Sequence, residues 1–152
     1  MVWKPHVTVA AIIENDRRFL LVEEETSNGL AFNQPAGHLE KGEDLINAVK
    51  REVTEETAWQ FEPEYIVSVQ LWRRNPESPS FLRVCFAGQC HSFDPNQPLD
   101  EGIIATHWLS RAEIAAKHDR LRSPLVMIGI DEFLSGKRHP LTLLESFIDL
   151  DA

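Results

Sequence analysis

Residues 37–59 read GHLEKGEDLINAVKREVTEETAW, a glycine-rich turn running into a segment with helical patterning. At about 100° per residue, Leu45, Ala48 and Val49 share one stripe, with Val53 at its edge. Glu52, Glu55 and Glu56 continue that stripe, where a helix packed on a sheet would keep apolar side chains. A solvated acidic face would place them opposite. Carboxylates at i, i+3 and i+4 come within roughly 5–6 Å between Cβ atoms, where like charges repel. Partial burial raises the cost unless a proton or a cation compensates them. Hard oxygen donors of this kind suit Mg²⁺, with Mn²⁺ as the alternative, and Mg²⁺ also engages substrate phosphates while keeping some of its water. The stretch therefore reads as a metal site with Glu52, Glu55 and Glu56 as ligands and Arg51 beside them as an orienting charge. A glutamate-rich helix standing alone is more often a solvated face. The preceding turn, PAGHLEKGE at residues 35–43, weighs against that here.

At 152 residues the chain fits one domain, residues 1–152, with a core of its own. Its 26% charged residues are those of a soluble globular protein. A net charge of -9 argues against nucleic acid and anionic membranes as principal partners, because phosphate backbones are held by basic surfaces. An acidic protein that binds phosphates needs a bridging cation, which the glutamates would hold. Cys85 and Cys90 lack metal-ligand spacing and fall on opposite faces of an expected strand. They read as packing residues in a reducing cytoplasm. The N-terminus shows no secretory pattern, and the longest apolar run there, Val7 to Ile13, is too short to span a bilayer.

Around the motif, Val7–Ile13 and Phe19–Val22 flank the turn residues Glu14-Asn15-Asp16-Arg17, a hairpin pattern. Tyr65–Trp72, Phe81–Ala87 and Ile103–Leu109 read as further strands, with Phe61-Glu62-Pro63 as a connection and Asn75–Pro79 as a rigid turn. Glu43 and Asp44 stand where the positive end of the motif helix is expected. Asp94–Pro98 leads into Asp100-Glu101-Gly102, a connection long and acidic enough to suggest function. Ser110-Arg111-Ala112-Glu113 is a capping box. Ser123-Pro124 opens another helix, which Gly136 closes, with Leu125, Ile128 and Phe133 expected against a sheet. Trp72, Arg73, Phe81, Arg83 and Phe86 combine aromatic and basic character suited to stacking on a ring and pairing with phosphate, although each alone is more often a core or solvated residue. None of the six histidines shows a spacing such as HExxH, so none is expected to bind metal. His38, inside the motif turn, is placed to touch substrate. Strands alternating with few helices point to a layered α/β domain.

The full spacing (Gly37, Glu43, Arg51-Glu52, Val53, Glu55-Glu56) resembles the signature of the Nudix hydrolases, metal-dependent enzymes that cleave diphosphates linked to another group. One position departs from it. The family usually places glycine two residues after the last acid, and this chain has Ala58. The resemblance implies an α/β/α sandwich with a mixed sheet and the signature as a loop-helix-loop at one end. It implies that Gly37 and Glu43 support the motif, Glu43 by steadying Arg51 or the metal shell. A main-chain carbonyl at Ala36 or Gly37 would join Glu52, Glu55 and Glu56 around the cation, which would neutralise diphosphate oxygens and activate water. Attack at phosphorus is then largely positioning and charge stabilisation. The general base would come from the glutamate cluster or from a loop acid, Glu101 or Asp100.

Within the family, KPHVTVA at residues 4–10, NQPAGHLE at 33–40 and LRSPLV at 121–126 resemble the NudJ phosphatase branch. This implies a cytoplasmic monomer that releases terminal phosphate from small-molecule diphosphates, namely hydroxymethylpyrimidine diphosphate and thiamine diphosphate, and acts on nucleoside di- and triphosphates. His38, Trp72 and Arg83 are the expected substrate contacts. The alternative is a nucleotide-cleansing pyrophosphohydrolase that releases pyrophosphate from nucleoside triphosphates. From another class, the alternative is a non-catalytic nucleotide-sensing domain. The complete set Arg51, Glu52, Glu55 and Glu56 weighs against the sensor, as does the absence of a fused module.

Overall fold

Strand β1 (His6–Asn15) is apolar on both faces, the pattern of a strand covered from two sides. In the computed structural model, which describes residues 1–149, Val9, Ala11 and Ile13 point to one core and Ala10 and Ile12 to a second. β1 turns into β2 (Arg18–Thr26) through Asp16 and Arg17, whose φ values of 52° and 62° are both left-handed. That is the two-residue hairpin turn whose twist matches its strands, so the four-residue turn expected from sequence is shorter by two strand residues.

β2 pairs antiparallel with β3 (Gly29–Asn33) and with β7 (Ile103–Ser110). β1 pairs antiparallel with the short β4 (Ala36–His38) and parallel with β6 (Ser80–His91), which pairs antiparallel with β5 (Gln60–Arg73). The sheet is therefore mixed, as expected. Cys85 and Cys90 lie on opposite faces of β6, each a free thiol.

β5 begins earlier than the sequence suggests: Phe61-Glu62-Pro63 is strand, not connection. Phe61 is 1% exposed and pulls the chain into the sheet. Pro63 is tolerated because β5 is an edge strand and its register shifts there.

Helix α1 (Leu45–Thr57) covers one face, with Ala48, Val49 and Val53 against Val9, Ala11 and Phe86. Helices α2 (Arg111–Ala115) and α3 (Leu125–Leu134) cover the other, with Ile114, Val126 and Ile130 against Ile12, Cys85 and Ala87. These three layers are the α/β/α sandwich. α2 carries the predicted capping box, with the Glu113 N–H donating to Ser110 Oγ and the Ser110 N–H to the Glu113 carboxylate. α3 starts one residue later than the sequence suggests, with Pro124 rather than Ser123 at the cap position, while Ser123 Oγ accepts from the Leu125 N–H at 3.1 Å. The buried face of α3 is Val126, Gly129 and Ile130; Ile128, expected in the core, is 46% exposed because it lies two residues from Val126 and Ile130 and so faces away.

Candidate metal centre and substrate cavity

Asp44 caps α1, its Oδ1 accepting from the Asn47 N–H at 2.7 Å. The helix ends at Ala58, which adopts φ 64°, the left-handed conformation for which the family usually supplies glycine. The helix end is thus kept without the glycine. Between these ends, the buried face changes from apolar to acidic. Glu52 and Glu56 are only 8% and 7% exposed, beside Val49 and Val53.

β4 crosses in front of this acidic segment. A Cβ at Gly37 would overlap the Glu52 carboxylate, so glycine is what lets the backbone pass. The neighbouring Ala36 N–H donates to Glu56 Oε1 at 2.9 Å. Burial pushes the Glu56 carboxyl up to about 9, opposed by that hydrogen bond and reinforced by Glu52. Burial raises Glu52 as well, offset in part by Arg51.

Arg51 ties the cluster together. Its Nε and Nη2 donate to the two Glu43 oxygens at 3.0 and 2.7 Å, a fork-to-fork pair. Its Nη1 donates to Glu52 at 2.8 Å and Glu55 at 3.2 Å, and Nη2 also reaches the His38 carbonyl at 3.0 Å. Glu43 accepts in addition from the Glu40 N–H at 2.9 Å, and the hydrogen bonds from Arg51 hold its carboxyl below the usual range. One guanidinium therefore fixes the turn, the helix and two carboxylates together. Glu40 remains an exposed outlying partner at 3.4 Å.

The third close acid comes from the loop joining β6 to β7, residues 92–102. Glu52, Glu55 and Asp100 each bring one carboxylate oxygen within 4.8 Å of the others. The grouping thus contains two of the three signature glutamates and a loop acid, while Glu56 stands apart against β4. Glu101, the other loop acid singled out by sequence, lies on an exposed turn outside the group. Three converging carboxylates, with Glu52 already destabilised by burial, fit a hard divalent cation.

Beside β4 lies a cavity of about 380 Å³. His38, Trp72 and Arg83 all line it, together with Glu24, Asn33 and Phe81. Trp72 and Phe81 stack at 6.2 Å between ring centroids, 30° from coplanar, and Arg74 lies over Trp72 at 5.6 Å. His38 donates or accepts across 3.2 Å to His6, and both rings pack on Phe81. Arg74, Arg83 and Arg122 make this wall cationic in a chain of net charge -9. Asn33 and Arg122 lie in stretches that carry the family resemblance but were not singled out as substrate contacts, and neither were Glu24 and Arg74, because no local spacing joins the four. A larger cleft of about 650 Å³ around Tyr65 and Arg138 lies away from the acids, near the other end of β1.

The NUDIX domain matches residues 4–127. Phosphatase NudJ of Shigella boydii serotype 4 (strain Sb227) is 41% identical over 145 residues, covering 95% of this chain and 94% of that protein. Phosphatase NudJ of Escherichia coli (strain K12) is 40% identical over the same shares. A NUDIX hydrolase from Nitrosomonas europaea superposes with a TM-score of 0.92 at 47% identity, covering 95% of this chain and 98% of that one. With the domain spanning most of the chain and the acids, arginine and glycine of its signature assembled in space, the chain belongs to the Nudix family of hydrolases acting on phosphoric anhydrides.

Proposed function

We propose that this chain is a divalent-cation-dependent phosphatase that removes the terminal phosphate of hydroxymethylpyrimidine diphosphate, thiamine diphosphate and nucleoside di- and triphosphates. The observation that carries the reading is the convergence of Glu52, Glu55 and Asp100, with a cationic and aromatic cavity lined by β4 residues Ala36–His38. Glu52, Glu55 and Asp100 are the assigned cation ligands, with Glu56 and the Ala36 carbonyl as the further ligands the signature implies. Bound Mg²⁺, or Mn²⁺, would neutralise diphosphate oxygens and supply an acidified water. Arg51 orients Glu52 and Glu55, Glu43 orients Arg51, and Gly37 leaves room for Glu52. Asp100 is better placed than Glu101 to take a proton from attacking water, since it already stands within the acid group. His38, Trp72 and Arg83 hold the remainder of the substrate, the rings by stacking and the guanidinium by charge. The names of the curated relatives support phosphatase chemistry. The free cysteines accord with a reducing cytoplasm, where the chain is assigned to act as a monomer on small-molecule diphosphates.

The test is a substrate panel with Mg²⁺ and an EDTA control, measuring phosphate and pyrophosphate separately. Phosphate release that favours the thiamine-related diphosphates is expected. Pyrophosphate release from nucleoside triphosphates would assign nucleotide cleansing instead. No metal-dependent product from any compound would place a nucleotide-sensing role first.

A further inference from the structure

Two residues that line the cavity each carry a buried polar atom that the fold leaves without a partner. Asn33, at the end of β3, is 9% exposed, and its Oδ1 accepts no hydrogen bond. Arg83, on β6, is 7% exposed, and its Nε donates none. A buried polar atom left unpaired costs about 1–3 kcal/mol, and such atoms are scarce enough in folded proteins to require a reason. The guanidinium is held in place. Its Nη2 donates to Gln34 Oε1 at 2.7 Å, and Gln34 Nε2 in turn donates to the Val126 carbonyl at 2.9 Å. No carboxylate pairs with Arg83 among the described residues, although Glu24 lines the same cavity, 3.6 Å from Arg122 Nε. The wall therefore offers two acceptors, Asn33 Oδ1 and Glu24, and one fixed donor, Arg83. Trp72 and Phe81 add flat apolar surface.

We infer that Asn33, Arg83 and Glu24 read the ring on the non-phosphate side of the substrate and select rings with an exocyclic amino group beside an acceptor nitrogen over their oxo counterparts. The inference rests on the phosphatase reading above and names its substrate class. An amino group brings two N–H donors to the two acceptors, and the adjacent ring nitrogen accepts from Arg83. Replacing the amino group by a carbonyl removes both donors and leaves the buried Asn33 Oδ1 without a partner. Sites built to hydrogen-bond a group discriminate strongly against analogues that lack it. Two sources carry this chemistry: the aminopyrimidine of thiamine-type diphosphates and the amino-bearing nucleobases.

The test uses the whole chain in EDTA, so that binding is measured apart from turnover. Intrinsic tryptophan fluorescence or calorimetry compares cytidine monophosphate with uridine monophosphate, and 4-amino-hydroxymethylpyrimidine phosphate with its 4-oxo analogue. Amino ligands are expected to bind at least about tenfold more tightly than their oxo partners. Asn33→Leu should compress that ratio to less than about threefold. Asn33→Asp, which keeps an acceptor and guards against a folding defect in the leucine variant, should preserve it. The pair with the larger amino-to-oxo ratio identifies the source. Equal or tighter binding of the oxo ligands by the wild type overturns the inference, as does an undiminished amino preference in folded Asn33→Leu. Amino selectivity without any metal-dependent phosphate release would instead overturn the phosphatase reading and leave the ring reader standing.

Discussion

Glu56 is the residue at which burial and function conflict most directly. Its folded-state value of about 9 lies above the ordinary 4.5, so without metal the folded chain holds a proton there that the unfolded chain has lost. A raised carboxyl contributes its stability fully below 4.5 and loses it as pH rises through about 9. The melting temperature of EDTA-treated protein should therefore fall across that interval, and Glu56→Gln should flatten the slope, as thermal melts over a pH series would reveal. The same variant should nearly abolish turnover with Mg²⁺ while remaining folded; unchanged turnover would remove Glu56 from the metal assignment. Gly37→Ala probes the opposite side of the site. Its new methyl must displace the Glu52 carboxylate rather than any backbone. Catalysis should drop by up to about 100-fold, the scale of an ångström's misplacement, with little change in melting temperature. Kinetics and melts on one preparation separate the two effects.

At the scale of elements, α1 and the 92–102 loop act as one unit. The Asp94 N–H donates to the Ala58 carbonyl at 3.0 Å, Gln97 Nε2 to the Thr54 carbonyl at 2.6 Å, and the Asp100 N–H to the Glu55 carbonyl at 2.9 Å. The loop satisfies the Glu55 and Ala58 carbonyls at the end of α1 and adds a second bond to the Thr54 carbonyl, which already accepts from the Ala58 N–H, and this docking carries Asp100 to Glu52 and Glu55. Gln97→Ala removes one bond, at a cost of about 0.5–1.5 kcal/mol. It should raise the Mg²⁺ concentration for half-maximal activity more than it lowers stability, and a metal titration of the rate checks this. The capping box of α2 and the β1–β2 hairpin were readable because each depends on residues a few positions apart, although the turn itself is only Asp16-Arg17. The early start of β5 was not, since Pro63 argues locally against a strand and only its edge position accommodates it.

Over the whole molecule, one sheet divides two cores, and the site stands where α1 turns its acids towards β4 and the 92–102 loop. Ile12 is 1% exposed and packs on the α3 side, away from the acids. Ile12→Ala should destabilise the fold by about 2–5 kcal/mol in urea titrations. The surviving folded fraction should keep its metal dependence, because Ile12 lies in the core beneath α3 rather than in the one beneath α1. Among the described residues, no helix is long and apolar enough to cross a membrane.

The sequence by itself determined the α/β class, the motif helix, the hairpin, the capping box of α2 and the glutamates that make the chain acidic where it should be apolar. Each follows from periodicity or spacing within a few residues, set by the backbone's own geometry. Arg51 and Glu43 were also within reach, since both lie inside one loop-helix segment. Only the tertiary structure decided that Asp100 rather than Glu101 joins Glu52 and Glu55, that Glu56 meets the Ala36 N–H, and that Asn33 and Arg83 face one cavity with Trp72. Those neighbours come from different strands and a docked loop. Strand pairing and loop docking depend on burial summed over the whole sheet, which no local pattern encodes.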